Sequence, residues 1–279
     1  MIVFLASAGS LFAASPDWTK PFPPHRIIGN LYYVGSKGLA SYLITTPQGD
    51  LLINSSFDEN VPLIQTSIEK LGFHFRDVKI LLISHAHSDH CAGSALIKKL
   101  TGAKYMVMEG DVPVVESGGK EDFNYGKSSD QWYRAVKVDR VLHDGDQVKL
   151  GNIVLTAHLT PGHTKGCTTW TMEVPEAGKT YHVVIVGSPN VNPGYKLVNN
   201  PDYPQISQDY ERTFRTLKAL PCDVFLGAHG DYYGMEPKYA RLQKEGPNPF
   251  IDPDGYKSFV AEKENAFEIE LHKQSQANH

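Results

Sequence analysis

The residues best suited to chemistry in this chain lie in one short run, His85-Ala86-His87-Ser88-Asp89-His90. Imidazole nitrogens and carboxylate oxygens are ligands that zinc prefers, at about 2.0 to 2.2 Å. On a turn, His85 and His87 can reach one ion, while Asp89 and His90 face elsewhere and can reach a second. The run therefore predicts a metal site. The alternative is a loop of surface polar residues, which such clustering disfavours.

The position of this run along the chain supports the same prediction. It directly follows Val78–Ser84, a nearly continuous apolar segment typical of a strand buried on both faces. Loops at the carboxyl ends of such strands converge and carry sites. His163 and His229 also follow predicted strands. Taken alone, each would be interpreted as a structural histidine, but beside the first cluster both are predicted ligands.

The remaining histidines lack this setting. We expect them to be structural or at the surface: His25, His74, His143, His158, His182, His272 and His279.

The rest of the chain alternates strand and helix patterns. Strands are predicted over Arg26–Val34, Leu39–Thr46, Asp50–Asn54, Val78–Ser84, Tyr105–Met108, Gln147–Leu159, Thr168–Val174, His182–Gly187 and Val224–Gly227. Helices are predicted over Val61–Leu71, Ala95–Leu100, Ser207–Leu220 and Gly255–Lys273, with Ser207 as an N-cap. Two mixed sheets with helices on their outer faces would make a four-layer α/β protein.

Composition excludes several classes of protein. The chain has 279 residues, with 27 Lys and Arg against 31 Asp and Glu, so it lacks the basic surface of a nucleic-acid binder. Its 41% hydrophobic content is too high for a disordered chain. Three cysteines are too few for a disulfide scaffold. No second apolar segment follows the N-terminus, so we expect no membrane association.

The first residues, Met1–Ala14, are typical of a secretory signal peptide. The apolar run is shorter than the roughly 20 residues that span a bilayer, and it ends in small residues before a Pro-rich segment. No Lys or Arg precedes it, and a buried N-terminal strand or helix is the alternative. We expect a periplasmic protein whose mature domain is residues 15–279.

Three motifs resemble the metallo-β-lactamase superfamily: the H-x-H-x-D-H run, Pro161-Gly162-His163-Thr164 and Gly227-Ala228-His229. The resemblance covers nearly the whole mature chain and implies the αββα sandwich. The same scaffold serves glyoxalase II, lactonases, ribonucleases and arylsulfatases, so activity has to be inferred from the rest of the site.

Ser188 narrows the choice within the superfamily. Many of its hydrolases have a metal-bridging Asp at this position, and β-lactamases of two subclasses have a ligand Cys; a hydroxyl replaces neither. The pattern resembles subclass B3, as do the segments 29–35, 193–197 and 248–250. That resemblance implies two zinc ions, one held by His85, His87 and His163 and the other by Asp89, His90 and His229.

The resemblance also implies the activity. A metal-bound hydroxide, oriented by Asp89, would hydrolyse the amide bond of penicillins, cephalosporins and carbapenems. We expect a monomer whose partner is this small-molecule substrate. The alternatives are a dizinc thioester or lactone hydrolase, similar to glyoxalase II or a lactonase, and a zinc-binding relative without turnover.

Substrate contacts are expected from five residues. Tyr195 is a candidate oxyanion donor, and Ser188 and Asn190 are candidates for the substrate carboxylate. Phe123 and Tyr125 belong to Ser117–Gln131, whose composition suggests a mobile flap. Simple loop polarity and structural packing are the alternatives for these residues.

Two departures from the subclass pattern have structural consequences. Asn54 stands where many superfamily members have an Asp that supports the metal loop. Tyr256 stands where several subclass B3 enzymes have a Cys that pairs with the equivalent of Cys222. We therefore expect Cys222 to be a free thiol.

Overall fold

The computed structural model describes residues 15–242, residue 244 and residues 248–277. The proposed signal segment, residues 1–14, lies outside the described residues. Seven strands form the first sheet in chain order: β1 His25–Ile28, β2 Leu31–Tyr33, β3 Tyr42–Thr46, β4 Gly49–Ile53, β5 Val78–Leu82, β6 Lys104–Met108 and β7 Arg140–Leu142. Five form the second: β8 Gln147–Leu150, β9 Ile153–Leu159, β10 Thr168–Glu176, β11 Lys179–Val186 and β12 Val224–Gly227, in the order β12-β11-β10-β9-β8.

The helices lie on the outer faces of the two sheets. They are α1 Val61–Lys70, α2 Ser88–Cys91, α3 Ser94–Thr101, α4 Val112–Ser117, α5 Ile206–Ala219, α6 Met235–Leu242 and α7 Pro253–Ala277. Side chains alternate along β4 between two apolar cores. Leu51 and Ile53 belong to the core that also contains the second sheet, α5 and α7, while Leu52 belongs to the core with α1, α3 and α4. The predicted four-layer α/β architecture is confirmed.

Three details of the predicted elements were wrong. Arg26–Val34 is not one strand but the hairpin β1–β2, which turns at Gly29 with φ +51°. Gln147–Leu159 is likewise a hairpin, turning at Gly151 with φ +57°. Each turn is a Gly-Asn pair, Gly29-Asn30 and Gly151-Asn152, a two-residue hairpin signal that the prediction overlooked because apolar residues flank it closely on both sides. Ser207 is not an N-cap, because α5 begins one residue earlier and its cap, Gln205, makes no side-chain hydrogen bond.

The two sheets are joined by backbone hydrogen bonds at the edge where the histidine loops emerge. The N–H of Thr168 donates to the carbonyl of Ser84 at 2.7 Å, and the N–H of Ala40 donates to the carbonyl of Ala228 at 3.0 Å. Parallel pairing of β4 with β5 and of β11 with β12 sends their carboxyl ends to this edge. The loops that follow β5 and β12 therefore meet.

No helix within the described residues is both long and apolar enough to cross a membrane.

His25 is a buried histidine away from this edge. Its ring stacks between Tyr33, at 5.3 Å, and Phe250, at 5.7 Å between centroids, and its Nδ1 donates to the carbonyl of Pro23 at 2.9 Å. Its Nε2 has no hydrogen-bond partner among the described residues. Burial lowers the pKa of His25 to about 4.

This burial predicts acid-sensitive stability. The unfolded chain binds a proton at this histidine below the ordinary pKa of 6.5, while the folded protein does so only near pH 4. Between these values, acidification lowers the free energy of unfolding, by about 3 kcal/mol at 1.36 kcal/mol per pH unit. His25→Phe should remove this part of the pH dependence.

The measurement is urea unfolding of chelated protein at about pH 7 and about pH 4.5. The control is His272→Phe, at an exposed position. Equal pH dependence in His25→Phe and the unsubstituted protein would contradict the interpretation.

Candidate metal centre

Three imidazoles form a nearly equilateral group at the junction of the sheets. His85 and His87 come from the loop after β5, and His163 comes from the loop between β9 and β10. Their ring centroids lie 4.6 to 4.8 Å apart. Their candidate ligand nitrogens all lie within 4.8 Å of one another. One ion can therefore contact all three.

The outer nitrogens of these rings fix which nitrogen faces the centre. His163 Nδ1 donates to the carbonyl of Asn190 at 2.8 Å, which leaves the Nε2 lone pair free. His85 Nδ1 lies 3.2 Å from Ser84 Oγ. In His87 the outward-facing nitrogen is Nε2 instead of Nδ1, because Nε2 lies 3.5 Å from the hydroxyl of Tyr195. His87 thus presents Nδ1 to the centre, whereas the other two present Nε2.

A second group lies beside the first. Asp89 and His90 lie on α2, a single turn that begins directly after His87, and His229 follows β12. Asp89 Oδ2 is 3.1 Å from His90 Nε2 and 3.6 Å from His229 Nε2, and the two nitrogens are 3.0 Å apart. The candidate ligand atoms of His85, Asp89 and His90 also lie within 4.8 Å of one another, so one ion could contact all three. The two groups are therefore contiguous.

The electrostatics of both groups suit a metal cation. Burial lowers the pKa of His85 and His163 well below the usual range and that of His229 to about 3. Burial opposes ionisation of Asp89, but His90 and His229 outweigh it and lower the pKa of that carboxyl. Neutral imidazoles, such as those of His85, His163 and His229, together with an ionised carboxylate are the donor set that zinc prefers. The residues present fit two ions.

Asp111, which the sequence did not reveal, ties the two histidine loops together. Its Oδ2 accepts the N–H of Ala86 at 2.8 Å and the hydroxyl of Thr164 at 2.9 Å, and its Oδ1 accepts the N–H of Gly166 at 2.8 Å. Burial raises the pKa of Asp111 to about 6. A Cβ at Gly166 would lie 2.4 Å from the Asp111 nitrogen, so this close approach requires glycine. In the sequence, the one indication that Asp111 belongs to the site was its position just after β6.

Asn54 supports the metal loop through both ends of its amide. Its Oδ1 accepts the N–H of Ser84 at 2.7 Å, and its Nδ2 donates to the carbonyl of Ala40 at 3.2 Å. An ionised Asp could accept the first bond but could not donate the second. The residue also adopts φ +67°, which Asn tolerates better than most residues. Asn54 therefore supports the loop by accepting one hydrogen bond and donating another.

A cavity of about 570 Å³ opens above the two groups. Its floor holds ligand candidates and its walls are aromatic and polar: Trp18, Phe57, His85, His87, Ser88, Asp89, Tyr125, Asp130, Gln131, His163, Asn190, Asn192, His229, Asp231 and Tyr232. No lysine or arginine occurs among these described lining residues. An anionic group in this cavity would therefore depend on metal cations and neutral donors.

Three of the predicted substrate contacts are not at the cavity surface, and two of these are Tyr195 and Phe123. The Tyr195 hydroxyl is buried and donates to the carbonyl of His163 at 2.9 Å. To act as an oxyanion donor it would have to give up this bond. Phe123 packs edge-on against Tyr195 and Tyr203, at 5.0 Å in each case. Both side chains instead support the wall behind His163.

Asn190 and Tyr125 do line the cavity, whereas Ser188 lies behind it. Ser188 Oγ is 3.1 Å from the hydroxyl of Tyr232, and Asn190 Nδ2 donates to the same hydroxyl at 2.7 Å. Tyr125 is held by Asn192, whose amide donates to the phenolic oxygen at 3.1 Å. Ser188 thus acts on the cavity only through Tyr232.

Three aromatic wall residues were missed in the sequence. The Trp18 ring lies 5.5 Å from that of His229 and 6.2 Å from that of Phe57, and Tyr232 lies 5.0 Å from His229. Tyr232 follows His229 closely in the chain, which was a usable signal. Trp18 and Phe57 lie far from the motifs in sequence and meet them only in the fold.

The cysteines agree with the sequence expectation. Cys91, Cys167 and Cys222 are all free. Tyr256 fills its position by packing and by donating its hydroxyl to the carbonyl of Leu217 at 2.7 Å.

Known proteins resemble this chain in sequence and in structure. The family model of the metallo-β-lactamase superfamily matches residues 38–229. A probable metallo-hydrolase of Burkholderia pseudomallei (strain 1710b) is 33% identical over 93 residues, which are 33% of this chain and 31% of that protein. The match thus spans about a third of the length of that curated relative.

Solved structures match over nearly the whole chain. Native FEZ-1 metallo-β-lactamase from Legionella gormanii is 57% identical with a TM-score of 0.91, over 92% of this chain and 98% of its own. BJP-1, a subclass B3 metallo-β-lactamase of Bradyrhizobium japonicum, is 41% identical with a TM-score of 0.88, over 95% and 99%. The class B3 di-zinc metallo-β-lactamase LRA-12 from an Alaskan soil metagenome is 35% identical with a TM-score of 0.87, over 92% and 97%.

Metal content tests the ligand assignment. His90→Ala should lower bound zinc from two per chain toward one, because it removes a nitrogen of the second group. Ser188→Ala should leave two, because the hydroxyl bonds Tyr232 and does not face the histidines. Elemental analysis after removal of loose metal gives the count, and circular dichroism checks folding. Zinc loss in Ser188→Ala, or two zinc ions in folded His90→Ala, would overturn the assignment.

Proposed function

The chain belongs to the metallo-β-lactamase superfamily, and on this premise we propose that it is a zinc-dependent β-lactamase. Its substrates are penicillins, cephalosporins and carbapenems, whose lactam amide bond it hydrolyses. The observation that carries the proposal is the pair of adjoining ligand groups on the floor of a cavity without lysine or arginine among its described lining residues. The likeness to FEZ-1 over 92% of the chain supports it.

Two zinc ions would be held by His85, His87 and His163 and by Asp89, His90 and His229. When bound, they would supply Lewis-acid polarisation of the lactam carbonyl and lower the pKa of a coordinated water from about 15.7 to about 7.

Asp89 is the proton-handling residue of the proposed mechanism. Its carboxylate lines the cavity floor and contacts His90 and His229. It accepts a hydrogen bond from the attacking water and so orients the oxygen toward the carbonyl carbon. As the new carbon–oxygen bond forms, Asp89 takes the proton that the water gives up, and it passes this proton to the departing ring nitrogen as the carbon–nitrogen bond breaks.

Tyr232 and Asn190 are the proposed neutral donors to the substrate carboxylate. The Tyr232 oxygen accepts the Asn190 amide, and when it also accepts the Ser188 hydroxyl its own proton is available to a ligand. Asn190 has a second amide proton for the same purpose. Tyr195 serves this reaction by holding the His163 loop through its hydrogen bond to the carbonyl of His163.

The apolar part of the substrate would lie against the aromatic wall. Trp18 and Phe57 form one side of the cavity and Tyr125 lines it from the loop that follows α4. Tyr125 also lies against His87, at 5.2 Å between ring centroids. Phe123 contributes only by packing behind Tyr195.

Export is part of the proposal. Residues 1–14 would act as a signal peptide, and residues 15–279 would form the mature periplasmic domain, with β-lactam as its small-molecule partner. Support comes from the apolar sequence of the segment. Intact mass of the protein from the periplasmic fraction of an expressing cell tests this; retention of residues 1–14 would contradict it.

The decisive assay uses purified protein with a chromogenic cephalosporin and a carbapenem. Hydrolysis should be abolished by a chelator and restored by zinc, because the proposed activation of water depends on the bound zinc ions. Parallel reactions with S-lactoylglutathione and a lactone are the control. Activity on those two alone would replace the proposal with a thioester or lactone hydrolase. Two bound zinc ions without turnover of any substrate would favour a non-catalytic relative.

Asp89→Asn tests the proton-handling role. The amide keeps the shape and one acceptor oxygen but removes the negative charge and the ability to take up a proton, so kcat should fall by at least about 10-fold at saturating zinc. Asp231→Asn, at another aspartate that lines the cavity, shows how much of any effect comes from lost negative charge alone. Near-normal kcat in Asp89→Asn with two zinc ions bound would refute the role.

A further inference from the structure

Asp122 is a buried carboxylate beside the histidine tripod that the proposed mechanism does not use. It lies in the loop after α4, and its side chain is only 4% exposed. Oδ1 accepts the backbone N–H of Asn124 at 2.8 Å and of Tyr125 at 2.6 Å. This oxygen therefore fixes the turn that carries Tyr125 to the cavity wall.

The other oxygen of Asp122 faces a ligand candidate. Oδ2 is buried and has no hydrogen-bond partner among the described residues. His87 Nε2 lies 3.6 Å from it, beyond the 2.7 to 3.2 Å typical of a hydrogen bond. A buried carboxylate oxygen without a donor is costly, and this nitrogen is the nearby group able to supply one.

The loop is built so that this carboxylate stays in place. The N–H of Gly126 donates to the carbonyl of Asp122 at 3.1 Å. A Cβ at Gly126 would lie 2.4 Å from the carbonyl oxygen of Lys120, so the loop closes more tightly than other residues allow. Asp122 thus belongs to a fixed turn.

We propose that Asp122 is a positioning residue that accepts the Nε2 proton of His87 and holds this ring in the tautomer whose Nδ1 lone pair faces the metal. A cation on Nδ1 makes the Nε2 proton a stronger donor, which satisfies the orphaned oxygen. Because the same carboxylate carries the Tyr125 turn, metal binding and the placement of Tyr125 are coupled. The inference rests on the proposed role of His87 as a ligand.

Asp122→Asn separates the two functions of this side chain. The amide oxygen can still accept the N–H groups of Asn124 and Tyr125, so the turn is preserved. The amide NH2 replaces Oδ2 and donates toward His87, which favours the Nδ1-protonated tautomer that cannot bind metal. Zinc affinity should fall by roughly 10- to 100-fold. Glu121→Gln, an exposed acid next to it in the chain, is the matched control.

The experiment measures zinc affinity by competition with a chromophoric chelator for Asp122→Asn, Glu121→Gln, His87→Ala and the double variant His87→Ala/Asp122→Asn. We expect Asp122→Asn to weaken binding alone but to have no further effect without the His87 ring. An equal loss with and without that ring, no loss in either background, or an equal loss in Glu121→Gln would overturn the proposal. Unchanged affinity in His87→Ala would instead show that the ligand assignment fails, and the inference with it.

Discussion

Five imidazoles and one carboxylate crowd together where the two sheets meet, and most of the surrounding structure serves to hold them there. His85, His163 and His229 are kept neutral by burial. The Nε2 atoms of His90 and His229 lie only 3.0 Å apart. The contacts among these side chains alone stabilise the folded protein little. A cation satisfies the inward-facing lone pairs together, so binding energy and the order of these loops are linked.

Buried polar side chains hold the ligand loops in place, and each one has the donors and acceptors that its position requires. Asp111 accepts three bonds and joins two loops, a task for a carboxylate. Asn54 accepts one bond and donates one, a task for an amide. The aspartate of other superfamily members and the asparagine here are therefore not equivalent. Each matches the donors and acceptors that surround it, and a mismatch would leave a buried polar group unsatisfied.

The cavity above the ligands combines an aromatic wall with neutral hydrogen-bond donors. Tyr232 stands at the centre of this polar side, because Ser188 and Asn190 both bond its hydroxyl. Its ring also packs between His229 and Phe259 of α7, at 5.0 Å from each. The terminal helix thus helps to position a residue of the cavity wall. Substrate recognition and core packing are connected through this single side chain.

The sequence by itself determined the layered α/β fold and the clustered metal-ligand residues. Strand and helix periodicity is local, and the spacing of His85, His87, Asp89 and His90 is visible within six residues. His163 and His229 were found because each follows a strand. Tertiary structure alone decided the rest. Asp111 contacts Gly166 from 55 positions away, Trp18 reaches His229 across the chain, and Tyr195 turns its hydroxyl to a backbone carbonyl rather than to the cavity. The residue type determines which hydrogen bonds a side chain can make, but only tertiary packing determines which partner it contacts.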